Sequence, residues 1–165
     1  TNRNFRICST DDSRTYGYGK SVWAMIDTET RQPQNILAIR DGEIERYIEK
    51  DKECPIEGLS RVKMGKEAKL ARTIDTYYCD VDVNGHINSI KYIEHILDLF
   101  DIDHYRKFRI RRFDIAYVAE SYCGDKLNFY TEERDDDTVC VRVTKTNAET
   151  VDAEVVRCML KFEKI

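Results

Sequence analysis

The sequence is poor in residues that interrupt secondary structure, because its 165 residues include only two prolines and seven glycines. It also lacks any apolar run near the roughly 20 residues that a membrane-spanning helix needs. Six cysteines are present, but no two of them form the C-x-x-C pairs typical of zinc ribbons and thioredoxin-like redox sites. These absences favour a folded protein without a membrane span, whose cysteines are free thiols: Cys8, Cys54, Cys79, Cys123, Cys140 and Cys158.

Basic residues are also fewer than acidic residues: the chain has 27 lysines and arginines and 31 aspartates and glutamates, which gives a net charge of −4. This balance disfavours general nucleic-acid binding. One exception is the basic run RKFRIRR at 106–112, in which Phe108 and Ile110 alternate with cations as on the solvated face of a strand. Either such a face or a docking surface for an acidic partner accounts for its five cations, Arg106, Lys107, Arg109, Arg111 and Arg112.

Before residue 71 the chain alternates short predicted strands with polar and charged segments. Residues 4–9 and 15–27 are predicted strands joined by the turn TDDSR, and the segment TETRQPQ ends the second strand. A short helix is expected near 41–48. Residues 46–70 are charged, include Pro55 and Gly58, and show no strong hydrophobic period, so we expect a linker there.

From residue 71 the order of elements is clearer. We predict a strand over 71–79, a polar turn over 80–87, a helix over 89–100 capped by Asn88, and strands over 107–121, 126–134, 138–147 and 151–164. The helix carries an apolar stripe at three- and four-residue steps: Ile90, Ile93, Ile96, Leu97 and Phe100. A helix that buries such a stripe on a curved antiparallel sheet has the hot-dog arrangement, an α+β fold. Its active site usually lies at the N-terminal end of the helix, where backbone N–H groups are unpaired.

The turn DVDVNGHINSIKY at 80–92 allows two interpretations. Asp80, Asp82, Asn84 and Gly85 match the first half of an EF-hand calcium loop. The twelfth position should supply a bidentate Glu, but Lys91 stands there, and the preceding RTIDTYYC is typical of a strand rather than a helix. The other interpretation is a catalytic turn, with one polar cluster that leads into the helix: Asp82, Asn84 and His86.

The same turn carries a resemblance to a known family. Segment 80–98, DVDVNGHINSIKYIEHILD, resembles the D-x-N-x-H-x-N-x-x-Y turn and helix start of the acyl-acyl-carrier-protein (acyl-ACP) thioesterases of plastids and bacteria. Segment 21–33, SVWAMIDTETRQP, is similar to a strand of that family's first unit, and 119–127, AESYCGDKL, to the strand that carries its catalytic Glu. The matching residues are Asp82, Asn84, His86, Asn88, Tyr92 and Glu120, and the matches together span about residues 4–165.

The resemblance implies two tandem hot-dog units in a protein of which this chain begins partway through the first. Residues 1–45 would be the C-terminal part of the first unit, 46–70 a linker, and 71–165 the second unit with the catalytic residues. The implied activity is hydrolysis of acyl-ACP thioesters to free fatty acid and holo carrier protein, which terminates fatty acid synthesis. The resemblance implies neither a metal nor an organic cofactor. Acyl carrier protein would be the acidic partner of the basic run, and the enzyme a cytoplasmic monomer or homodimer of the bacterial type.

Each residue that the resemblance selects has a chemical role in thioester hydrolysis. Asn84 would donate an amide N–H or position water, and His86 would move a proton near neutral pH. Asp82 would orient this pair as the third member of a triad does, and the helix N-terminus would stabilise the oxyanion. Glu120 would act as general base or as nucleophile. Many plant members have Cys after this Glu, where Ser121 stands here; a nearby thiol, Cys123, is a weaker nucleophile candidate.

Two rival functions stay open at this point. One is a hot-dog thioesterase that acts on acyl-CoA rather than on acyl-ACP. The other is a non-catalytic acyl-binding or calcium-binding module, in which Asp82 and Asn84 are ordinary turn residues, His86 is a surface or capping residue, and Glu120 faces solvent.

Overall fold

The computed structural model describes residues 1–49, 51–52, 54–58, 61–65 and 67–165, which form two compact units, Thr1–Leu59 and Ser60–Ile165. Five residues of the predicted linker, at positions 50, 53, 59, 60 and 66, lie outside the described residues. Residues 61–65 belong to the second unit, where Val62 is buried and Gly65 N–H donates to Glu132 Oε2 at 2.6 Å. The assignment of 1–45 to a first hot-dog unit and of 46–70 to a linker stays a prediction.

The first unit is built on an antiparallel hairpin of β1 (Asn2–Cys8) and β2 (Thr15–Val22). The predicted turn between the strands is present, and Asp11 accepts hydrogen bonds from the hydroxyls of Ser9 and Ser13. The second strand is shorter than the predicted 15–27. It ends at Val22, which pairs with Asn2, the first residue of β1. Farther along, Asp27 accepts the N–H groups of Glu29 and Thr30 in a turn.

The predicted helix near 41–48 is not an α-helix. Short 3₁₀ turns cover Ile36–Ala38 and Arg40–Tyr47. The second of these is interrupted at Asp41 and Gly42, whose φ angles of 50° and 75° lie in the left-handed region. Such φ angles are incompatible with a continuous right-handed helix.

The described residues of the second unit form a five-stranded antiparallel sheet, two α-helices and a short 3₁₀ turn at Tyr78–Asp80. In chain order the strands and α-helices are β3 (Lys69–Asp75), α1 (Ser89–Leu97), α2 (Ile102–Lys107), β4 (Phe108–Tyr117), β5 (Lys126–Asp135), β6 (Thr138–Thr146) and β7 (Ala153–Lys164). The strand order across the sheet is β3-β5-β6-β7-β4, so the two strands that flank the helices in sequence form the two edges. The predicted α+β order of strand, helix and four strands is confirmed.

Two boundaries in this unit differ from the prediction. The helix predicted over 89–100 ends at Leu97, and a second helix follows because Asp101 caps it by accepting the N–H of His104 at 2.7 Å. The strand predicted over 107–121 ends at Tyr117, so Glu120 lies in the connection after β4 and not on the strand.

Helix α1 packs on the sheet through a stripe that is shifted from the predicted one. Ile96 is fully buried and Tyr92 is 3% exposed, whereas Ile90 is 54% exposed and does not belong to the core. Tyr92 and Ile96 are four residues apart and therefore share one helix face. They form one cluster with sheet residues that include Leu127, Phe129, Val141, Val143, Val156, Leu160 and Phe162.

The basic run crosses from the end of α2 into β4, and its alternation is that of a strand face. Phe108 and Ile110 pack against the core, while Arg109 and Arg111 are exposed. The arginines have acidic neighbours: Arg109 and Arg111 pair with Glu163, Arg112 with Asp114, and Arg106 with Asp103. These pairs reduce the net positive charge that the run presents.

Candidate active site

The predicted catalytic turn is a tight loop between β3 and α1, closed by its own hydrogen bonds. Val81 and Ile87 form an isolated antiparallel bridge. Inside it, Asp82 N–H donates to His86 O at 2.8 Å and Gly85 N–H donates to Asp82 O at 3.1 Å. Gly85 has a φ of 83°, a left-handed conformation that glycine adopts without steric cost. The loop therefore presents His86 from a fixed backbone.

Asp82 holds this loop through its side chain. Its Oδ1 accepts the backbone N–H of Asn84 at 2.8 Å and that of His86 at 3.2 Å. These bonds, the one from Asn84 first, favour the charged carboxylate and lower the pKa of Asp82 below its usual 3.8. The described bonds of Asp82 in this turn go to the backbone of Asn84 and His86, and Asn84 itself is exposed. That Asp82 orients Asn84 and His86 for catalysis stays a prediction.

Asn88 caps α1 as predicted, since its Oδ1 accepts the N–H of Ile90 at 3.0 Å. The N–H of Asn88 itself donates to Asp80 O at 2.8 Å. Two backbone donors at this helix end are therefore already engaged. The prediction of an unpaired helix terminus is wrong for these two groups, because the cap that starts the helix uses them.

Glu120 comes to the same place from the other edge of the sheet. Its Oε2 lies 3.5 Å from His86 Nε2, with 27% of the His86 side chain and 40% of the Glu120 side chain exposed. The phenol of Tyr122 donates to the same Oε2 at 3.4 Å, and its ring meets the His86 ring edge-on with centroids 5.2 Å apart. The fold thus brings together two residues that are 34 positions apart in sequence.

Ser121 points away from this cluster. It is fully buried, and its hydroxyl forms a short hydrogen bond with the phenol of Tyr92 on α1. Its carbonyl accepts the N–H of Ile87 at 2.8 Å, which joins the Glu120 loop to the His86 loop. Glu120 and Ser121 therefore face opposite sides, although the backbone there is not a strand.

A buried polar network holds the far side of the Glu120 loop. Asp125 is 5% exposed and accepts the N–H of Tyr122 at 2.9 Å and the side-chain amide of Asn147 at 2.7 Å. The hydroxyl of Thr76 donates to Asp125 O at 2.7 Å and accepts Gly124 N–H at 3.0 Å. These bonds pair backbone groups of a loop that lies outside the sheet.

The sequence selected Asp82, Asn84, His86 and Glu120 as candidates but did not indicate the residues that contact them. Tyr122 stood inside the matched segment 119–127 but received no role, and Asp125 and Lys145 received none either. The alternation of β6 contains no local sign that Lys145 reaches the Glu120 loop, because that contact joins residues 25 positions apart. Cys123 lies in the exposed turn beside Gly124, whereas the imidazole of His86 faces Glu120 and Tyr122.

In the calcium interpretation the acidic oxygens of the loop would converge on one ion. Asp80 instead accepts Tyr77 N–H at 2.8 Å, while Asp82 accepts N–H groups of its own turn. Lys91, in place of the closing Glu, pairs with Glu94 at 2.9 Å. Among residues with a described position, no three acidic, cysteine or histidine side chains are grouped as metal ligands. Over the same residues, no helix is both long and apolar enough to cross a membrane.

The chain is similar to known proteins in sequence and in fold. The acyl-ACP thioesterase C-terminal domain family matches residues 63–164. A chloroplastic palmitoyl-acyl carrier protein thioesterase from Arabidopsis thaliana is 30% identical over 122 residues, which are 72% of this chain and 29% of that protein. The crystal structure of an acyl-ACP thioesterase from Bacteroides thetaiotaomicron is 44% identical with a TM-score of 0.86, and the match covers 98% of this chain and 62% of that one.

A more distant structure has the same fold. The 12:0-ACP thioesterase from Umbellularia californica is 19% identical with a TM-score of 0.81, over 99% of this chain and 62% of that one. The hot-dog fold predicted from the sequence is confirmed. The chain spans less than two thirds of the length of each of these three relatives.

Proposed function

The chain belongs to the acyl-ACP thioesterase family, and we propose that it carries the catalytic residues of an enzyme that hydrolyses acyl-ACP thioesters. The products would be free fatty acid and holo carrier protein, and the reaction would terminate fatty acid synthesis. The observation that carries this proposal is the contact of 3.5 Å between His86 Nε2 and Glu120 Oε2 at the N-terminal end of α1. The names of the relatives support acyl-ACP as the substrate.

The proposed reaction adds water across the thioester. As general base, Glu120 takes a proton from water while the water oxygen bonds to the carbonyl carbon, and the C–S bond then breaks. His86 delivers a proton to the departing thiolate, and the proton that Glu120 took from water then passes to His86 across their contact, so that both side chains return to their starting states. As nucleophile, the Glu120 carboxylate would instead bond to the carbonyl carbon and break the C–S bond, the departing thiolate would take a proton from His86, and water would then hydrolyse the acyl anhydride to fatty acid and the free Glu120 carboxylate.

Two other residues complete the proposed site. The amide of Asn84 is exposed at the tip of the loop and is proposed to donate to the carbonyl oxygen as negative charge develops there. Asp82 is proposed to act through the backbone, by holding Asn84 and His86 in one turn. This role needs no contact between Asp82 and substrate.

Docking of acyl carrier protein on the basic run stays a prediction, as do the cytoplasmic location and the monomeric or homodimeric state. The basic run lies at the end of α2 and the start of β4, whereas Glu120 follows the C-terminal end of β4. Arg109 and Tyr117 are eight residues apart on this strand, which corresponds to about 26 Å at a rise of ~3.3 Å per residue. A carrier protein bound at Arg109 would therefore have to extend its acyl group along the length of β4 to bring the thioester to Glu120.

The proposal is tested by free-thiol release from a long-chain acyl-ACP by the purified protein, beside Glu120→Ala and His86→Ala. We expect both variants to lose roughly 10²- to 10⁴-fold in turnover, the usual contribution of a general acid or base. Glu149→Ala is the matched control, because Glu149 is an exposed turn residue on another loop. Circular dichroism and melting temperature establish that each variant is folded.

Three results would change the proposal. A wild-type protein that releases no thiol from any thioester contradicts it and favours the acyl-binding module. Activity that survives in Glu120→Ala assigns the base to another residue. Faster turnover of acyl-CoA than of acyl-ACP at equal concentration assigns the enzyme to the acyl-CoA thioesterases.

A further inference from the structure

Lys145 is a largely buried cation with no role in the reaction as described so far. It lies near the end of β6, and only 16% of its side chain is exposed. Its Nζ donates to the backbone carbonyl of Glu120 at 2.7 Å. It also lies 3.9 Å from Asp125 Oδ2 and 5.4 Å from the centre of the Tyr122 ring. All three contacts are to the loop that carries Glu120.

Such a cation is costly to bury unless its surroundings compensate it. Asp125 supplies a negative charge, the Glu120 carbonyl supplies an acceptor, and the face of Tyr122 supplies a cation–π contact. Glu120 lies outside the strands, in the connection between β4 and β5. The ammonium of Lys145 therefore holds the backbone at the residue whose side chain meets His86.

Tyr122 extends the same arrangement to the side chains. Its phenol donates to Glu120 Oε2 at 3.4 Å, and its ring lies edge-on to His86. One residue thus contacts both members of the proposed catalytic pair while Lys145 lies on its ring. Movement of the Tyr122 ring would change the position of the Glu120 carboxylate and of the imidazole together.

Resting on the proposed function, we propose that Lys145 and Tyr122 are positioning residues for thioester hydrolysis. Lys145 holds the backbone of Glu120 and the ring of Tyr122, and Tyr122 holds the Glu120 carboxylate against His86. Neither residue needs to touch the substrate. Their effect is to keep the distance between the imidazole and the carboxylate short in the folded enzyme.

The test is the kinetics of Lys145→Met, which keeps a long stem without the charge, and of Tyr122→Phe, which removes only the hydroxyl. A misplacement of about 1 Å at a reacting group costs on the order of 10²-fold in rate. We expect Lys145→Met to lower kcat by roughly 10- to 100-fold and Tyr122→Phe by roughly 10-fold. KM for acyl-ACP should change by less than about twofold, because ground-state binding is not altered.

Two matched controls remove a similar group elsewhere on the same sheet. Lys126→Met removes a half-exposed cation that pairs with Asp75 at 3.4 Å. Tyr130→Phe removes a phenol that donates to Asp152 at 2.9 Å. Both should keep wild-type kcat, and their melting temperatures show what loss of such a group does to stability alone. Lys145→Arg, which retains the charge and a donor, should restore part of the lost kcat.

A double variant separates positioning from a structural role. If Lys145 acts through Glu120, then adding Lys145→Met to Glu120→Ala should lower the residual rate no further. Wild-type kcat in both Lys145→Met and Tyr122→Phe overturns the inference. A loss of kcat that a fall in melting temperature explains also overturns it. The same holds if Lys145→Met lowers the rate of Glu120→Ala by as much as it lowers the rate of the wild type. A wild-type enzyme without thioester turnover contradicts the proposed function itself, and the inference with it.

Discussion

Shortening Glu120 by one methylene group tests whether its distance from His86 matters. Glu120→Asp keeps the carboxylate but withdraws it by about 1.5 Å, one carbon–carbon bond. The separation of 3.5 Å between His86 Nε2 and Glu120 Oε2 would then become about 5 Å. At about 5 Å no direct proton transfer joins the two groups, whereas from 3.5 Å a small side-chain movement brings them within the roughly 3.2 Å of a hydrogen bond.

The loop around Glu120 cannot follow the shorter side chain freely. Its carbonyl accepts from Lys145 at 2.7 Å, and the next carbonyl, of Ser121, accepts Ile87 N–H at 2.8 Å. Ser121 is also fully buried against Tyr92. Because the backbone is held on both sides, we expect most of the added distance to remain, and kcat/KM to fall by about 10²-fold.

Glu120→Gln provides the complementary change, because it keeps the length and removes the charge. A base or nucleophile requires the carboxylate, so we expect Gln to lower kcat/KM more than Asp does. Both are measured as thiol release from acyl-ACP, with the melting temperature as a check on the fold. Wild-type kcat/KM in Glu120→Asp would refute the argument from distance, and wild-type kcat/KM in Glu120→Gln would remove Glu120 from the reaction.

Two further predictions concern stability. The pKa of Asp82 is lowered by its bonds from the N–H groups of Asn84 and His86, so its stabilising contribution is complete above about pH 4 and is lost as pH falls through the folded-state value. The difference in melting temperature between wild type and Asp82→Asn should therefore be constant above about pH 4 and shrink below it; a difference independent of pH would contradict this. Tyr92→Phe leaves the buried Ser121 hydroxyl without its partner and should cost about 1–3 kcal/mol in denaturant unfolding, of which adding Ser121→Ala recovers a part. No recovery in the double variant would show that the Tyr92 hydroxyl contributes in another way.

Features that depend on neighbouring residues could be predicted from the sequence. The turn at Asp82 to His86 forms because Asp accepts N–H groups two and four residues later and Gly85 adopts a left-handed backbone. Asn88 begins α1 by the same local chemistry. The order of strands after the helix followed from alternation and turn residues. These interactions span only a few residues, so their pattern is visible in the chain itself.

Features that depend on packing could not be predicted in this way. The sequence predicted no second helix between the helix over 89–100 and the strand from 107, but Asp101 caps one there. Ile90 satisfied the helical period yet lies exposed, because the sheet covers the face that carries Tyr92 and Ile96.

The sequence by itself determined which residue types are available for proton transfer, and family resemblance selected His86 and Glu120 among them. Only the tertiary structure decided that their side chains meet at 3.5 Å and that Tyr122 contacts both. Lys145 reaches Glu120 because β6 lies next to β5 in the sheet, although the two residues are 25 positions apart. Contacts of that kind arise from strand pairing and burial, which are cooperative properties of the whole sheet and leave no local periodic signal.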